Sequence, residues 1–225
     1  MEAHKKGNLT ISGVGSSSGG TVRIAKIDGI GKLDGDVICS EFIVNGKAEV
    51  HGNVKASTAE INGTAVVQGN LHSERLRTQG KTIVNGDLIG DRIDITGLLS
   101  VAGKCEAERF NANGKLQMEM LNAGNIQITL HGNSSITEIG GELIKIRREP
   151  GIDFAKWLKV LPIALGNKLT AQTIEGDDVY VECITAEVVR GTNVAIGPGC
   201  EIGLVEYKEK FDQDKASKVK RIEQM

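Results

Sequence analysis

From Gly29 onward, apolar and polar positions alternate in short bursts, and the bursts recur every 17 residues. Numbered from the first glycine of each repeat, the third position holds Gly31, Ala48, Ala65, Thr82 and Leu99, and the fifth holds Leu33, Val50, Val67, Val84 and Val101. The ninth holds Val37, Val54, Leu71, Leu88 and Cys105, and the eleventh Cys39, Ala56, Ser73, Gly90 and Ala107. The fourteenth holds Phe42, Ala59, Leu76, Ile93 and Phe110, and the sixteenth Val44, Ile61, Thr78, Ile95 and Ala112. No charge enters any of these columns. They come as pairs two residues apart, the spacing of same-side residues on a strand, with a corner between one pair and the next.

Three short strands cannot bury an apolar side alone, but repeats coiled so that each turn stacks on the last enclose a continuous interior. The pattern therefore predicts an all-β fold, a triangular parallel β-helix with 17 residues and three short strands per turn. Successive turns lie about 4.8 Å apart, and the general rule for parallel crossovers makes the coil right-handed. Its interior is expected to hold Leu33, Val37, Val50, Val54, Val67, Leu71, Val84, Leu88, Ile93 and Val101. Corners are marked by two glycine series, Gly29, Gly46, Gly63, Gly80, Gly97 and Gly114, and Gly35, Gly52, Gly69, Gly86 and Gly103. Asparagine precedes the first glycine at Asn45, Asn62 and Asn113, as at a turn that needs positive φ.

The period blurs at both ends. Residues 1–20 read as an irregular segment with a flexible loop at "GVGSSSGG", and residues 21–148 as the coil proper, with a slip of one residue after Gly114. At 149–168 the pattern changes: Phe154, Trp157, Leu158, Leu161 and Leu165 recur every three or four residues, which predicts an amphipathic helical excursion near 153–165. Residues 169–207 resume strand-like alternation, with Cys183 and Cys200, Val179 and Ile196, and Val188 and Val205 each 17 apart, and are expected to stack on the first coil. The highly charged segment 208–225 reads as a solvated tail or marginal helix.

Composition narrows function. With 40% hydrophobic and 25% charged residues in 225, the chain reads as soluble. A net charge of −2 gives nucleic acid or an anionic membrane nothing to attract. No apolar run is long enough for a signal peptide or spanning helix, so a cytoplasmic location is the default expectation. The four cysteines are far apart with no metal-ligand spacing and read as reduced, small apolar fillers. Enzymatic β-helices such as hexapeptide acyltransferases use a catalytic histidine in a cleft and about 18 residues per turn; here His51 and His72 sit in different columns without matching acidic partners. No nucleotide loop, cofactor site or metal site is read, and Asp87, Asp91 and Asp94 read as a solvated face. The reading is non-enzymatic.

The run "VRIAKIDGIGKLDGDVICSEFIVNGKAEVHGNVKA" followed by further G-x5-G-x10 units resembles the bactofilins, bacterial polymer-forming cytoskeletal proteins. The resemblance covers 21–148, more weakly 169–207. It implies a right-handed triangular β-helix that assembles end to end into filaments without nucleotide or metal, with itself or a paralogous bactofilin, as a scaffold for envelope-linked processes such as cell shape, cell-wall synthesis or motility. Two departures stand out: family members are often a single uninterrupted coil, and many carry a short apolar amino-terminal anchor, for which "MEAHKK" is a poor candidate.

A β-helix ends in open strand edges, a template for another copy unless something covers them. Val194, Ile196 and Ile202 are the expected polymerisation end, and Phe154, Trp157 and Leu161 the expected contacts for a partner, an envelope-associated protein or the inner face of the membrane. On the sides, Arg75, Arg92 and Arg109 form a basic column beside an acidic one, Glu74, Asp91 and Glu108; mutual compensation and a docking stripe for an acidic partner are both compatible with it. The alternatives are a capped, non-polymerising binding module and a β-helical acyltransferase.

Overall fold

Alternation with period two fixes the strands, and glycine fixes where they bend. The computed structural model describes residues 7–149 and 167–225. Its strands are β1 (Leu9–Ser17), β2 (Gly20–Thr21), β3 (Ile24–Leu33), β4 (Val37–Val50), β5 (Val54–Val67), β6 (Leu71–Val84) and β7 (Leu88–Leu130), followed by β8 (Ser134–Arg148), β9 (Leu169–Val181), β10 (Ile184–Ile196), β11 (Glu201–Gln213) and β12 (Lys218–Gln224). They stack in the order β1-β3-β4-β5-β6-β7-β8-β9-β10-β11-β12, with β2 beside β4, and these strands pair in parallel throughout. The result is a parallel β-solenoid of about twelve turns, and no helix occurs among the described residues.

In β4, β5 and β6 each turn is one bent strand with three buried pairs, while β7 runs on through more than two turns. In β4 these are Val37 with Cys39, Phe42 with Val44, and Ala48 with Val50, and two or three consecutive exposed residues mark each bend. Like residues stack in ladders: Val37 over Val54 over Leu71 over Leu88, and Val50 over Val67 over Val84 over Val101. Leu33, Val37, Val50, Val67, Leu71, Val84, Leu88 and Ile93 are fully buried, and Val54 and Val101 nearly so. Each such side chain contributes about 1.5–3 kcal/mol of burial. The polar members of the columns find partners inside: Thr78 and Thr82 hydroxyls lie 3.1 Å apart, and Ser73 Oγ donates to the Arg75 carbonyl at 2.8 Å.

The two glycine series answer two different constraints. Gly63 has φ 134°, and a Cβ there would run into the carbonyl of Gly46 in the turn before; Gly46, at φ 131°, stands in the same relation to Gly29. At the second corner, a Cβ on Gly69 would strike the side-chain oxygen of Asn53, which accepts the backbone N–H of Asn70 at 2.9 Å. That contact repeats along the coil: Asp36 accepts from the Asn53 N–H at 2.7 Å, Asn70 from Asp87 at 2.9 Å, and Asp87 from Lys104 at 2.9 Å. A side chain on each turn thus satisfies a corner N–H on the next, and glycine leaves it the room.

The period is 17 from β3 through β6 into β7 and varies elsewhere. β1 pairs with β3 at a spacing of 16, β7 with β8 at 18, and β9 with β10 at 15. β10 meets β11 at 16 until a bulge between Gly191 and Asn193 shifts the spacing to 17. Val179 therefore stacks on Val194, and Val205 on Val189. The constant spacing of 17 expected for the resumed turns does not hold, because shorter corners remove one or two residues per turn while keeping the ladders in step.

Both chain ends depart from expectation. Within 1–20, expected to be irregular, β1 forms a turn in unbroken register from Leu9 on Ala25 to Ser17 on Leu33. The charged segment 208–225 is neither tail nor helix: β11 runs to Gln213 and β12 closes the stack, with Val219 on Ile202 and Ile222 on Val205. Its charges sit on outward positions, so they leave the inward alternation intact. The helical excursion expected at 149–168 falls on 150–166, outside the described residues; Asn167 and Lys168 lead directly into β9.

Candidate functional site

In a parallel coil the backbone N–H and C=O groups point along the axis, so a middle turn is bonded on both sides and a terminal turn on one. Two strands occupy the terminal places among the described residues. β1 pairs with β3 alone, and from Leu9 to Thr21 the chain carries no charged residue. Val14, 82% exposed, lies beside Ile30, 52% exposed, on the outer corner of these first turns. The interior narrows here, with Gly15 over Gly31 and Ser17 over Leu33, while Ile11 stays buried on Ile27.

The other end is built differently. β12 pairs with β11 alone, and Lys218, Lys220, Arg221 and Glu223 charge its edge. Inside, the last turn turns polar. Ser217 Oγ donates to the Gly197 carbonyl at 2.6 Å and accepts the Cys200 N–H at 2.9 Å; Gln213 donates to the Ser217 carbonyl at 2.9 Å. Tyr207 and Phe211 stack with ring centroids 5.5 Å apart. Charges and polar plugs of this kind discourage strand addition. The neutral β1 edge is the better template.

Val194, Ile196 and Ile202, expected at the polymerisation end, are each 2% exposed and lie one turn inside, under Phe211, Gln213 and Val219. The closing turn was hidden by its charge, although the spacing of Val219 from Ile202 and of Ile222 from Val205 is the same 17 that marks the first repeats. Phe154, Trp157 and Leu161 lie outside the described residues.

The long sides hold polar ladders. Asn45 donates to Asp28 at 2.8 Å and Asn62 to Asn45 at 3.1 Å, at the corner preceding the first glycine series. The Asn45 amide, followed by Lys26, holds the Asp28 carboxyl below the usual range. His51 does have acidic partners, contrary to expectation: Nε2 is 2.8 Å from Glu49, two residues back on the same strand face, and Nδ1 is 3.3 Å from Asp34 in the turn before. The hydrogen bond to His51 lowers Glu49. His72 is exposed and stacks between Lys55 and Ile89. Asp87 and Asp94 are engaged, Asp87 by the Lys104 N–H and Asp94 by Arg92 at 2.7 Å and Asn111 at 2.8 Å. No group of three metal-binding side chains occurs among the described residues, and no helix among them is long and apolar enough to cross a membrane.

A groove of about 610 Å³ runs over Gly140, Gly141, Gly176 and Gly191, where small residues thin the wall. At its side Arg190 bridges Glu175 at 3.0 Å and Glu206 at 2.6 Å, tying three successive turns together. The cysteines are free thiols; burial pushes Cys39 up to about 11 and Cys105 up to about 12, and raises Cys200. These three shifts run opposite to the lowered value of a reactive nucleophile.

Comparison with known proteins agrees with this geometry. Residues 4–106 match the family model described as "Bactofilin: Polymer-forming cytoskeletal". The chain is 42% identical over 102 residues to "Uncharacterized protein YhbF" of Bacillus subtilis (strain 168), an alignment that covers 45% of this chain and 40% of the relative. It is 35% identical over 101 residues to "Uncharacterized protein YhbE" of the same strain, covering 44% and 40%. The chain thus spans about two fifths of the length of these relatives. No solved structure matches it. The family match at residues 4–106 overlaps the part of the coil in which successive turns pair at a constant spacing of 17.

Proposed function

We propose that this protein is a structural scaffold that assembles end to end, without nucleotide, by stacking the β1 edge of one coil onto a terminal turn of another. The observation that carries this reading is the β1 edge itself. Among the described residues it is a strand with one free side, with no charge from Leu9 to Thr21 and an exposed apolar corner at Val14 and Ile30. Natural sheet proteins blunt such edges with charge, as β12 does here. The match of residues 4–106 to the bactofilin family model supports the same reading, since that family is described as polymer-forming and cytoskeletal. A cytoplasmic place, beside the membrane in envelope-linked work on shape, wall synthesis or motility, completes the proposal, with the chain itself or a paralogous bactofilin as partner.

A second reading, a capped scaffold that stops at a dimer, draws on the polar closure by Gln213 and Ser217. Sedimentation and negative-stain microscopy of purified protein, with and without ATP or GTP, separate the two. Filaments that form equally in all conditions are expected. Discrete monomers or dimers at every concentration, or a strict nucleotide requirement, would overturn end-to-end assembly.

A further inference from the structure

The corner between the eleventh and fourteenth columns carries two charged stripes of opposite sign, one residue apart. Glu74, Asp91 and Glu108 form one; Arg75, Arg92 and Arg109 form the other, stacked turn on turn, with Arg75 directly on Arg92. All six side chains are exposed. The two stripes do not neutralise each other across the gap: among the described residues neither Glu74, Asp91 nor Glu108 forms an ion pair, and neither do Arg75 and Arg109, while Arg92 turns away to Asp94 at 2.7 Å. Each stripe therefore sets like charges about 4.8 Å apart, an arrangement that opposes the stacking that creates it.

We propose that this corner is a zipper for side-by-side pairing with a second copy of the chain. The stripes sum to no net charge, so neither a polyanion nor a polycation is drawn to them as a whole; what fits is a surface with the same two stripes exchanged. A twofold rotation about an axis parallel to the coil supplies it. That operation places the basic stripe of one copy opposite the acidic stripe of the other, turn for turn, so Arg75 meets the partner's Glu74, Arg109 the partner's Glu108, and the reverse. A copy pointing the opposite way lays acid on acid and base on base. Charge complementarity thus selects both the partner and its direction: two coils in register, running the same way. The contact is a ridge, small for one pair of chains, and it gains strength when many subunits of a filament present it together. To that extent it rests on end-to-end assembly, whose failure is distinguishable from failure of lateral pairing.

The test uses the full chain in three forms: wild type, R75E/R109E with both stripes acidic, and E74R/E108R with both basic. Arg92 and Asp94 are left alone to keep their ion pair. Circular dichroism checks that each folds. Negative-stain microscopy scores filaments as single or paired, and sedimentation equilibrium scores lateral dimers if filaments are absent, so failure of end stacking is visible on its own. Wild type is expected to pair at low salt and to separate at about 1 M salt, where the screening length is about 3 Å. Each variant alone is expected to lose pairing, and an equal mixture of the two to regain it, with one acidic and one basic copy in each pair. Pairing that survives in either variant alone, a mixture of folded variants that stays unpaired, or a wild type that never pairs at low salt would each overturn the proposal.

Discussion

Replacing Gly63 with alanine tests the packing rule of the coil at one atom. Gly63 has φ 134°, where an L side chain costs about 1–3 kcal/mol. The added Cβ also runs into the carbonyl oxygen of Gly46, with the Gly46 carbon 3.0 Å away and its nitrogen 3.1 Å away. All three are backbone atoms, held from behind by Gly29, so the coil must open at that corner; overpacking of this order costs about 1–3 kcal/mol more. The expected loss is about 2–6 kcal/mol, against total stabilities of about 5–15 kcal/mol for ordinary domains. Gly132 is the control. Its φ is 83°, and a Cβ there meets nothing within 4 Å. Alanine then pays the left-handed penalty of about 1–2 kcal/mol, offset by about 0.4–1 kcal/mol through the stiffer unfolded chain. Urea unfolding followed by circular dichroism should place G63A well below G132A, with amide exchange in G63A accelerated first around the Gly46 and Gly80 corners. Equal midpoints for the two variants would refute the claim that stacking against the preceding carbonyl, beyond φ alone, demands glycine in that column.

Aspartate at fully buried Val67 should abolish the folded signal, because an unpaired carboxylate in the dry interior costs several kcal/mol, whereas aspartate at exposed Gln68 should be tolerated; equal circular dichroism spectra would sink the register. Asn70→Ala removes the acceptor of the Asp87 N–H and should cost about 1–2 kcal/mol, read as a shift in urea midpoint, while Asn70→Asp keeps the acceptor and should restore most of it. Native protein at pH 8 should be alkylated at half-exposed Cys183 and spared at Cys39 and Cys105, as mass spectrometry would show. Both buried thiols have raised values in the fold, so their contribution to stability is complete below the unfolded value near 9 and is lost as pH climbs toward about 11 for Cys39 and about 12 for Cys105. A flat stability profile across that window would contradict their burial. Val14→Lys should block filaments while leaving the circular dichroism unchanged; filaments of normal length would remove the β1 edge from the assembly mechanism.

The coil itself was legible because burial in a solenoid is strictly local in sequence. A residue two places along points the same way, and a residue one turn along sits beneath it, so the columns from Val37 to Leu88 could be read directly. The closing turn was not, since its outward lysines and glutamates dominate the composition, while the set that continues the inward columns, Phe211, Gln213, Ser217, Val219 and Ile222, includes two polar members, Gln213 and Ser217. The later register was also hidden. A corner can lose a residue without disturbing the strand pairs, so Val179 finds Val194 at 15 although Ile196 at 17 is equally apolar. His51 was misjudged for a related reason: its partners Glu49 and Asp34 lie on two different turns, a juxtaposition visible once register is known.

The period stops being constant where the corner ladder ends, and strand pairing sets the register of the turns that follow. From Asp36 through Asn53, Asn70 and Asp87, each side chain accepts the corner N–H of the next turn, which requires the next corner to arrive after a fixed number of residues. Lys104 is the next member. Its N–H is bound by Asp87, but an ammonium cannot accept, so it imposes nothing on the turn that follows. Directly after it, Gly124 comes to lie over Glu108 at a spacing of 16, and β7 then meets β8 at 18. The family match ends at residue 106, beside this same lysine. Lys104→Asn should therefore extend the acceptor ladder by one step without forcing the register of the following turn, since Met120 and its neighbours already pair through their own strands; a measurable rise in stability with unchanged amide-exchange boundaries is the expected result. If the variant instead redistributed protection across β7 and β8, the ladder would be dictating the period of the coil, and the strand ladders would be following it.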